Sequence, residues 1–292
     1  MDCNSGVKID LHIHSSASDG TLAPGEILSL AYRLNLGAIS ITDHDTVLGV
    51  KDALQIGIPE SIKFITGVEI SVTPPAFFRF SGSCHILGYF IRLDDPELNR
   101  SLKMLQAARE SRAPRIIERL EVLGIGLSMD EVLTVSGGGQ IGRPHIARAM
   151  VNKHLVRSIH EAFDLYLGRG KPAYVDKYRM NCEQAIQIIA NAGGIPVLAH
   201  PVLLNIRQNE VLEAFIRELK EMGLKGMEVY YPEHSIIHQR FYFDMAKRYE
   251  LLMTGGSDFH GSLKPDIQMG TGRGDLCVPY EVYENLIQSQ NN

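Results

Sequence analysis

The sequence predicts an α/β fold, a barrel of alternating strands and helices interrupted by a helical insertion. Three observations lead there. Seven short apolar runs of strand length recur along the chain, and most are followed by a stretch whose apolar residues have helical spacing. Histidines and acidic residues gather at the C-terminal ends of these runs, which in a barrel meet at one mouth. From about 96 to 177 the alternation gives way to long helical stretches, then resumes. One α/β barrel fits a length of 292 residues, and no GxGxxG follows the first strand, which disfavours an open dinucleotide-binding sheet.

The first strand is VKIDLHIH. Val7, Ile9, Leu11 and Ile13 point one way, and Lys8, Asp10, His12 and His14 point the other. His12 and His14 thus share a face and can ligate one cation, while Ser15, Ser16, Ser18 and Gly20 let the chain turn and bring Asp19 back towards it. Apolar residues at 27, 30, 31 and 34 predict a helix over Pro24 to Asn35, ended by Gly37. AISITDHD is the second strand and delivers His44 at its end. A helix through Val50 to Ile56 leads to IKFITGVEIS, where Gly67 leaves room for a close neighbour and Glu69 ends the strand. A proline-broken loop with Phe77, Phe78 and Phe80 follows, and CHILGYFI then carries His85 at its start.

In the helical block, Leu98, Leu102, Leu105 and Ala108 form one periodic face and Ile116, Ile117, Leu120 and Leu123 another, with Pro114 expected to interrupt them. SGGGQIGRPHIARAM reads as a glycine-rich turn before a helix with Pro144 in its first turn, and RGKPAYV returns the chain to the body. The alternation resumes with NCEQAIQIIANAG, a helix capped by Asn181 and Gln184, followed by the strand IPVLAHP, which ends in His200. A helix through Val211 to Met222, the run KGMEVYYPEH and the helix HSIIHQRFYFDMAKRYE come next. The last strand, LLMTGGSDFHG, puts Asp258 and His260 on one side with Leu252, Thr254 and Gly256.

A formal charge of −5 argues against a broad basic surface for coating duplex DNA, so a nucleic-acid substrate is expected to be small or single-stranded. Cys3, Cys84, Cys182 and Cys277 are scattered without a CxxC pair, which indicates neither a disulfide framework nor a zinc ribbon and suits a reducing compartment. With no signal-like N-terminus and no window resembling a membrane span, the protein is expected in the cytoplasm. The oligomeric state is not legible.

A single strand-end histidine is more often a hydrogen-bonded core residue than a ligand. His12, His14, His44, Glu69, His200, Asp258 and His260 all fall at strand ends, and Asp19 and His85 bring the candidates to nine without a thiolate. That donor set suits Zn, Mn or Fe. Asp10, on the same strand face, is expected to orient a histidine rather than to ligate.

DLHIHSSASDG, ITDHD, GVEIS, HILGY, AHP and GGSDFHG, in this order and across nearly the whole chain, resemble the motifs of the PHP (polymerase and histidinol phosphatase) family. GRPHIARAM, RGKPAYV and EVYYPEH further resemble the branch acting on nucleoside 3′,5′-bisphosphates and on the 5′ ends of short RNA. The resemblance implies a distorted seven-stranded β/α barrel (residues 1–95 and 178–292), a helical insertion over its mouth (96–177), and two to three divalent metals. It also implies a ligand division: His12, His14, Glu69 and Asp258 around one metal, Glu69, His85 and His200 around a second, and Asp19, His44 and His260 around a third, with Glu69 bridging. Glu69, Asp258 and His200 are the expected catalytic residues.

Metals so close together lower the pKa of a shared water and clamp phosphate oxygens, so hydrolysis by a metal-activated hydroxide needs no side-chain nucleophile. No P-loop lysine motif or GxSxG elbow competes with this reading. Arg143, His145 and Lys171 in the insertion, and His234 near a helix start, are the expected phosphate contacts. Tyr230 and Tyr231 are expected to pack rather than stack on a base. The alternatives are a histidinol phosphatase or other small phosphomonoesterase, disfavoured by HILGY standing where that group carries a GSVH-type motif, and a non-catalytic metal-binding module, disfavoured by the nine filled positions.

Overall fold

The computed structural model describes residues 6–136 and 140–291, so the expected turn at Gly137–Gly139 and Cys3 lie outside the described residues. Strand and helix first alternate as β1 (Ile9–Ile13), α1 (Pro24–Arg33), β2 (Ala38–Ile41), α2 (Leu48–Ile56), β3 (Lys63–Thr73) and β4 (Cys84–Tyr89). The helical block is α3 (Pro96–Glu110), α4 (Arg112–Val122), α5 (Met129–Ser136), α6 (Arg143–Asn152) and the short α7 (Ile159–Ala162), which continues as a π turn over Phe163–Leu167. The chain then returns through β5 (Met180–Asn181), α8 (Cys182–Asn191), β6 (Ile195–Leu198), α9 (Asn209–Glu221), β7 (Gly226–Tyr230), α10 (Ile236–Arg248), β8 (Leu252–Gly255) and α11 (Tyr280–Gln290).

The sheet runs β1-β2-β3-β4-β6-β7-β8, and β5 is a short extra strand on β3. It closes on itself beyond β8, where the Asp258 N–H donates to the His12 carbonyl at 2.8 Å and the His14 N–H to the Phe259 carbonyl at 3.0 Å. The result is the expected distorted seven-stranded barrel. Its distortion is β4, which runs antiparallel to both neighbours while the other pairs on this path are parallel. The start of β4 therefore lies at the mouth, and His85, at the beginning of an apolar run, reaches the same end of the barrel as the strand-end ligand candidates. At Gly67 an added Cβ would stand 2.3 Å from Ser40 Oγ and 2.8 Å from the Ile41 carbonyl, so its close neighbour is the adjacent strand β2.

The strands are buried on both faces, as barrel strands covered by helices must be. The main core joins Leu11, Ile70, Leu87, Val197 and Phe215, and it includes Leu98, Leu102 and Leu105 of α3. Burying each such side chain stabilises the fold by roughly 1.5–3 kcal/mol. A separate cluster of the helical block begins with Ala113 of α4 and extends to Val175. Thus α3 packs with the barrel and the independent helical core starts after it.

Local chemistry sets the element ends. Helix α1 stops at Arg33, earlier than expected, because Asn35 adopts φ +53° and Leu36 N–H returns to the Ala31 carbonyl at 3.0 Å. Asparagine tolerates that left-handed turn, so Gly37 is not needed as the stop. Pro114 does not break the helical path either; the break is at Ser111, and Pro114 occupies the first turn of α4, where a missing N–H costs little. Asn181 and Gln184 form the expected reciprocal cap, at 2.8 and 3.4 Å. Cys84 and Cys182 are buried thiols, whereas Cys277 takes part in a disulfide that the cysteine spacing did not announce. Among the described residues no helix is long and apolar enough to cross a membrane.

Candidate metal centre and the cationic cleft beside it

The turn after β1 is tied down by Asp43. Its Oδ1 accepts from Ser15 N–H at 2.8 Å and Ser18 Oγ at 2.6 Å, and its Oδ2 accepts from Ser15 Oγ at 2.6 Å. This clamp carries Asp19 back to 3.7 Å from His14 Nδ1, 3.4 Å from His260 Nε2 and 3.8 Å from His44 Nε2.

Glu69 lies at the centre, fully buried, with its two oxygens facing different histidines. Oε1 is 2.8 Å from both His85 Nδ1 and His200 Nε2. Oε2 is 2.8 Å from His44 Nδ1, 3.3 Å from His14 Nε2 and 3.6 Å from His12 Nε2. Asp258, at φ +54°, turns Oδ1 towards His14 Nε2 at 3.2 Å and His12 Nε2 at 3.6 Å. Its Oδ2 accepts from Lys264 Nζ at 2.7 Å and Tyr231 Oη at 3.0 Å. His200 also has a positive φ, +25°, an uncommon backbone state for a residue with a side chain.

Two expectations change at this level. Asp10 orients no imidazole: it accepts from Ser257 N–H at 2.9 Å, Ser257 Oγ at 2.5 Å, Gly270 N–H at 2.7 Å and the His12 backbone N–H at 3.3 Å, and so fixes the turn that presents Asp258. The histidine is oriented instead by Glu228, whose Oε1 is 3.1 Å from His12 Nδ1 and whose Oε2 accepts from the His200 N–H at 2.7 Å. Glu228 was visible in the sequence as a lone acid inside the apolar run GMEVY. Tyr231, expected to pack, uses its hydroxyl on Asp258.

Burial raises the pKa of Glu69, but His44, His85 and His12 outweigh it and hold the carboxyl well below its usual value. Burial pushes His85 and His260 down to about 4, whereas Asp258 and Glu69 outweigh burial at His14 and raise it to about 9, and Glu228 and Glu69 raise His12. His44 Nδ1 and Glu69 Oε2 are 2.8 Å apart outside hydrogen-bond geometry, and both are buried with no hydrogen-bond partner. His200 Nδ1 is orphaned likewise, and His12 Nε2 and His14 Nε2 face each other at 3.1 Å. Four groups bring ligand atoms within 4.8 Å of one another: His14, Asp19, His44 and His260; His12, Glu69 and His200; His12, His14 and Asp258; and His44, Glu69 and His85. All nine sequence candidates are among them, and an imidazole and carboxylate set with orphaned buried atoms fits divalent metals.

Asp19, His44 and His85 form one end of a cleft of about 970 Å³. Its walls carry Arg79, Arg109, Arg112, Arg143, Arg169, Lys177 and Arg179. Arg143 is the one expected phosphate contact found there; its Nη1 donates to the Leu167 carbonyl at 3.0 Å and its guanidinium lies 5.6 Å from the Tyr174 ring centre. Arg112 lies 5.3 Å from the same ring, is only 7% exposed, and has a buried Nη2 without a partner. His145 Nδ1 instead accepts the Gly142 N–H at 3.0 Å and caps α6. Lys171 is exposed and outside the cleft lining. His234 is held by the Val229 carbonyl at 2.8 Å between Tyr231 and Tyr242, and burial pushes it down to about 3, so it is uncharged. The other cleft cations were missed because a charged residue in a helical stretch or loop reads as solvated surface.

The sequence pattern of the PHP domain matches residues 10–245. Over 254 residues the chain is 34% identical to a 5′-3′ exoribonuclease of Haemophilus influenzae, covering 87% of this chain and 90% of that one. Over 253 residues it is 33% identical to a 3′,5′-nucleoside bisphosphate phosphatase of Chromobacterium violaceum, covering 86% and 87%. Among solved structures, a Bifidobacterium adolescentis protein described as a metal-dependent phosphoesterase superposes with a TM-score of 0.82 at 27% identity, over 97% of this chain and 96% of that one. Spanning the barrel and the helical block together, these likenesses show that the chain belongs to the PHP-domain family and is a metal-dependent phosphoesterase, a hydrolase of phosphoric esters.

Proposed function

We propose that the substrate is a small phosphorylated nucleotide: a nucleoside 3′,5′-bisphosphate that loses its 3′-phosphate, or the 5′ end of a short single-stranded RNA. The names of the Haemophilus and Chromobacterium relatives supply these two classes. The observation that carries the reading is the junction of the imidazole and carboxylate centre with a cleft walled by arginines. A protein of net charge −5 that concentrates cations there selects a small anion over a duplex.

In this reading the centre takes three metals, with Mn, Zn and Fe as candidates. His12, His14, Glu69 and Asp258 hold one, Glu69, His85 and His200 a second, and Asp19, His44 and His260 a third. When bound, such metals polarise phosphoryl oxygens and acidify a water molecule. The chain's own part is positioning. Glu228 fixes the His12 ring through Nδ1, and Lys264 and Tyr231 occupy Asp258 Oδ2 so that Oδ1 faces the histidines. Arg143, with Arg112 and Arg179 gathered round Tyr174, holds the phosphate that does not react. The helical block thereby confers specificity while the barrel confers hydrolysis.

The test is turnover by metal-loaded protein of a nucleoside 3′,5′-bisphosphate, histidinol phosphate and short oligoribonucleotides. The bisphosphate and the oligomers are expected to react. An inert bisphosphate beside a rapidly hydrolysed histidinol phosphate would overturn the reading.

A further inference from the structure

The loop that precedes β4 also lines the cleft, through Phe78, Arg79 and Phe80 though not Phe77, and Arg169 lines it as well. The loop is anchored from below, because Phe78 and Phe80 each pack edge-on against the buried Phe215, with ring centres at 5.0 and 5.3 Å. Phe77 is treated differently. Its ring lies 4.6 Å from that of Phe78 and remains 68% exposed, so it forgoes the burial that fixes its two companions. Arg79 is exposed and lines the cleft, and Arg169 reaches across the rim to the Phe80 carbonyl at 3.5 Å. Among the described residues neither arginine has an ion-pair partner.

At about 970 Å³ the cleft stands at the top of the range of roughly 300–1,000 Å³ that suits one small ligand. Arg109, Lys177 and Arg179 are ion-paired, but a cleft that joins a phosphate-processing centre to free guanidinium groups and to a loop with an exposed aromatic ring beside its lining matches what single-stranded nucleic acid requires: charges follow the backbone and a ring stacks on an unpaired base. Resting on the substrate reading above, we infer that the rim of Phe77, Arg79 and Arg169 binds the nucleotides downstream of the 5′-terminal one in single-stranded RNA, stacking a base on Phe77 and holding a phosphate between the arginines.

The test compares wild type with Phe77→Ala, Phe77→Trp and Arg79→Ala, all metal-loaded, on a 5′-phosphorylated tetraribonucleotide with a 3′ fluorophore and on adenosine 3′,5′-bisphosphate. Phe77→Ala is expected to lower kcat/KM on the tetramer roughly five- to a hundredfold without changing it on the bisphosphate, and Arg79→Ala to lower it several-fold more on the tetramer than on the bisphosphate. Phe77→Trp should restore the tetramer. Arg79→Ala should also flatten the salt dependence of tetramer binding by about 0.7 in log–log slope. Equal losses on both substrates, or none on the tetramer, overturn the inference. If wild type turns over neither substrate, the substrate reading fails by itself, and fluorescence anisotropy of the tetramer then decides the rim: weaker binding by Phe77→Ala supports it and equal binding overturns it. A dimer that dissociates on Phe77→Ala with tetramer binding unchanged assigns the rim to a second copy of the chain, and the inference falls.

Discussion

Glu69 and Asp10 are both completely buried carboxylates at the barrel mouth, yet their neighbours give them different work. Asp10 is saturated by one hydroxyl and three N–H donors, whereas Glu69 faces only imidazoles and keeps one oxygen without a hydrogen bond. Glu69→Gln is therefore expected to strip bound metal and activity together, read by metal analysis of the purified protein. Asp10→Asn should keep most of its metal and instead lower unfolding free energy by about 1–3 kcal/mol, the cost of a buried donor left unpaired, measured in urea. Equal metal loss in the two variants would remove the distinction. Glu228 is a third case, since its side-chain oxygens meet the ring of one ligand candidate, His12, and the backbone N–H of another, His200. Glu228→Gln should weaken metal affinity about ten- to a hundredfold in a chelator competition, because the amide no longer fixes the His12 tautomer as a carboxylate does.

The elements are joined to the centre at the His44–Asp45 turn. Asp45 has φ +57°; its Oδ2 accepts from Arg109 Nη2 of α3 and from Lys177 Nζ, both at 2.8 Å, and its Oδ1 accepts from Ser71 N–H of β3 at 2.9 Å. One carboxylate thus ties α3, the chain returning to β5 and strand β3 to the residue beside His44. Removing one partner of such a buried pair costs about 3–5 kcal/mol by stranding the other charge. Arg109→Met and Asp45→Asn are each expected to lose about that much in urea unfolding, and the double variant less than their sum. Strict additivity would show that the two groups act independently.

This network also marks what the sequence could disclose. The nine ligand candidates were legible because metal chemistry restricts residue type and barrel topology restricts position, so HxH, DHD and SDFH carry both facts at once. Arg109 and Lys177 were not legible, since nothing in a helical period or a loop says that a partner waits far along the chain. The reversed direction of β4 was hidden too, because alternation of side chains is the same in a parallel or an antiparallel strand. His234 is a different case. Its place near a helix start suggested an anion contact; its Nδ1 is held by the Val229 carbonyl and its Nε2 is buried without a hydrogen-bond partner.

Across the whole molecule, charge is segregated: carboxylates and imidazoles lie at the barrel mouth, and guanidinium groups line the cleft that the helical block helps to form. Arg143 tests whether that segregation is a division of labour. It comes from α6, stacks at 5.3 Å on Phe163 and 5.6 Å on Tyr174, and is not among the residues whose atoms cluster for a metal. Arg143→Ala should therefore leave metal content unchanged. Loss of a charge-assisted contact typically costs about 1.5–3 kcal/mol, which predicts a roughly tenfold to hundredfold fall in kcat/KM on a nucleoside bisphosphate. A simple phosphomonoester has no second phosphate and should be affected much less. The comparison is kcat/KM for both substrates and both proteins at matched metal loading. An equal fall on the two substrates would move Arg143 to the reacting phosphate, and the helical block would then share in hydrolysis rather than only in recognition.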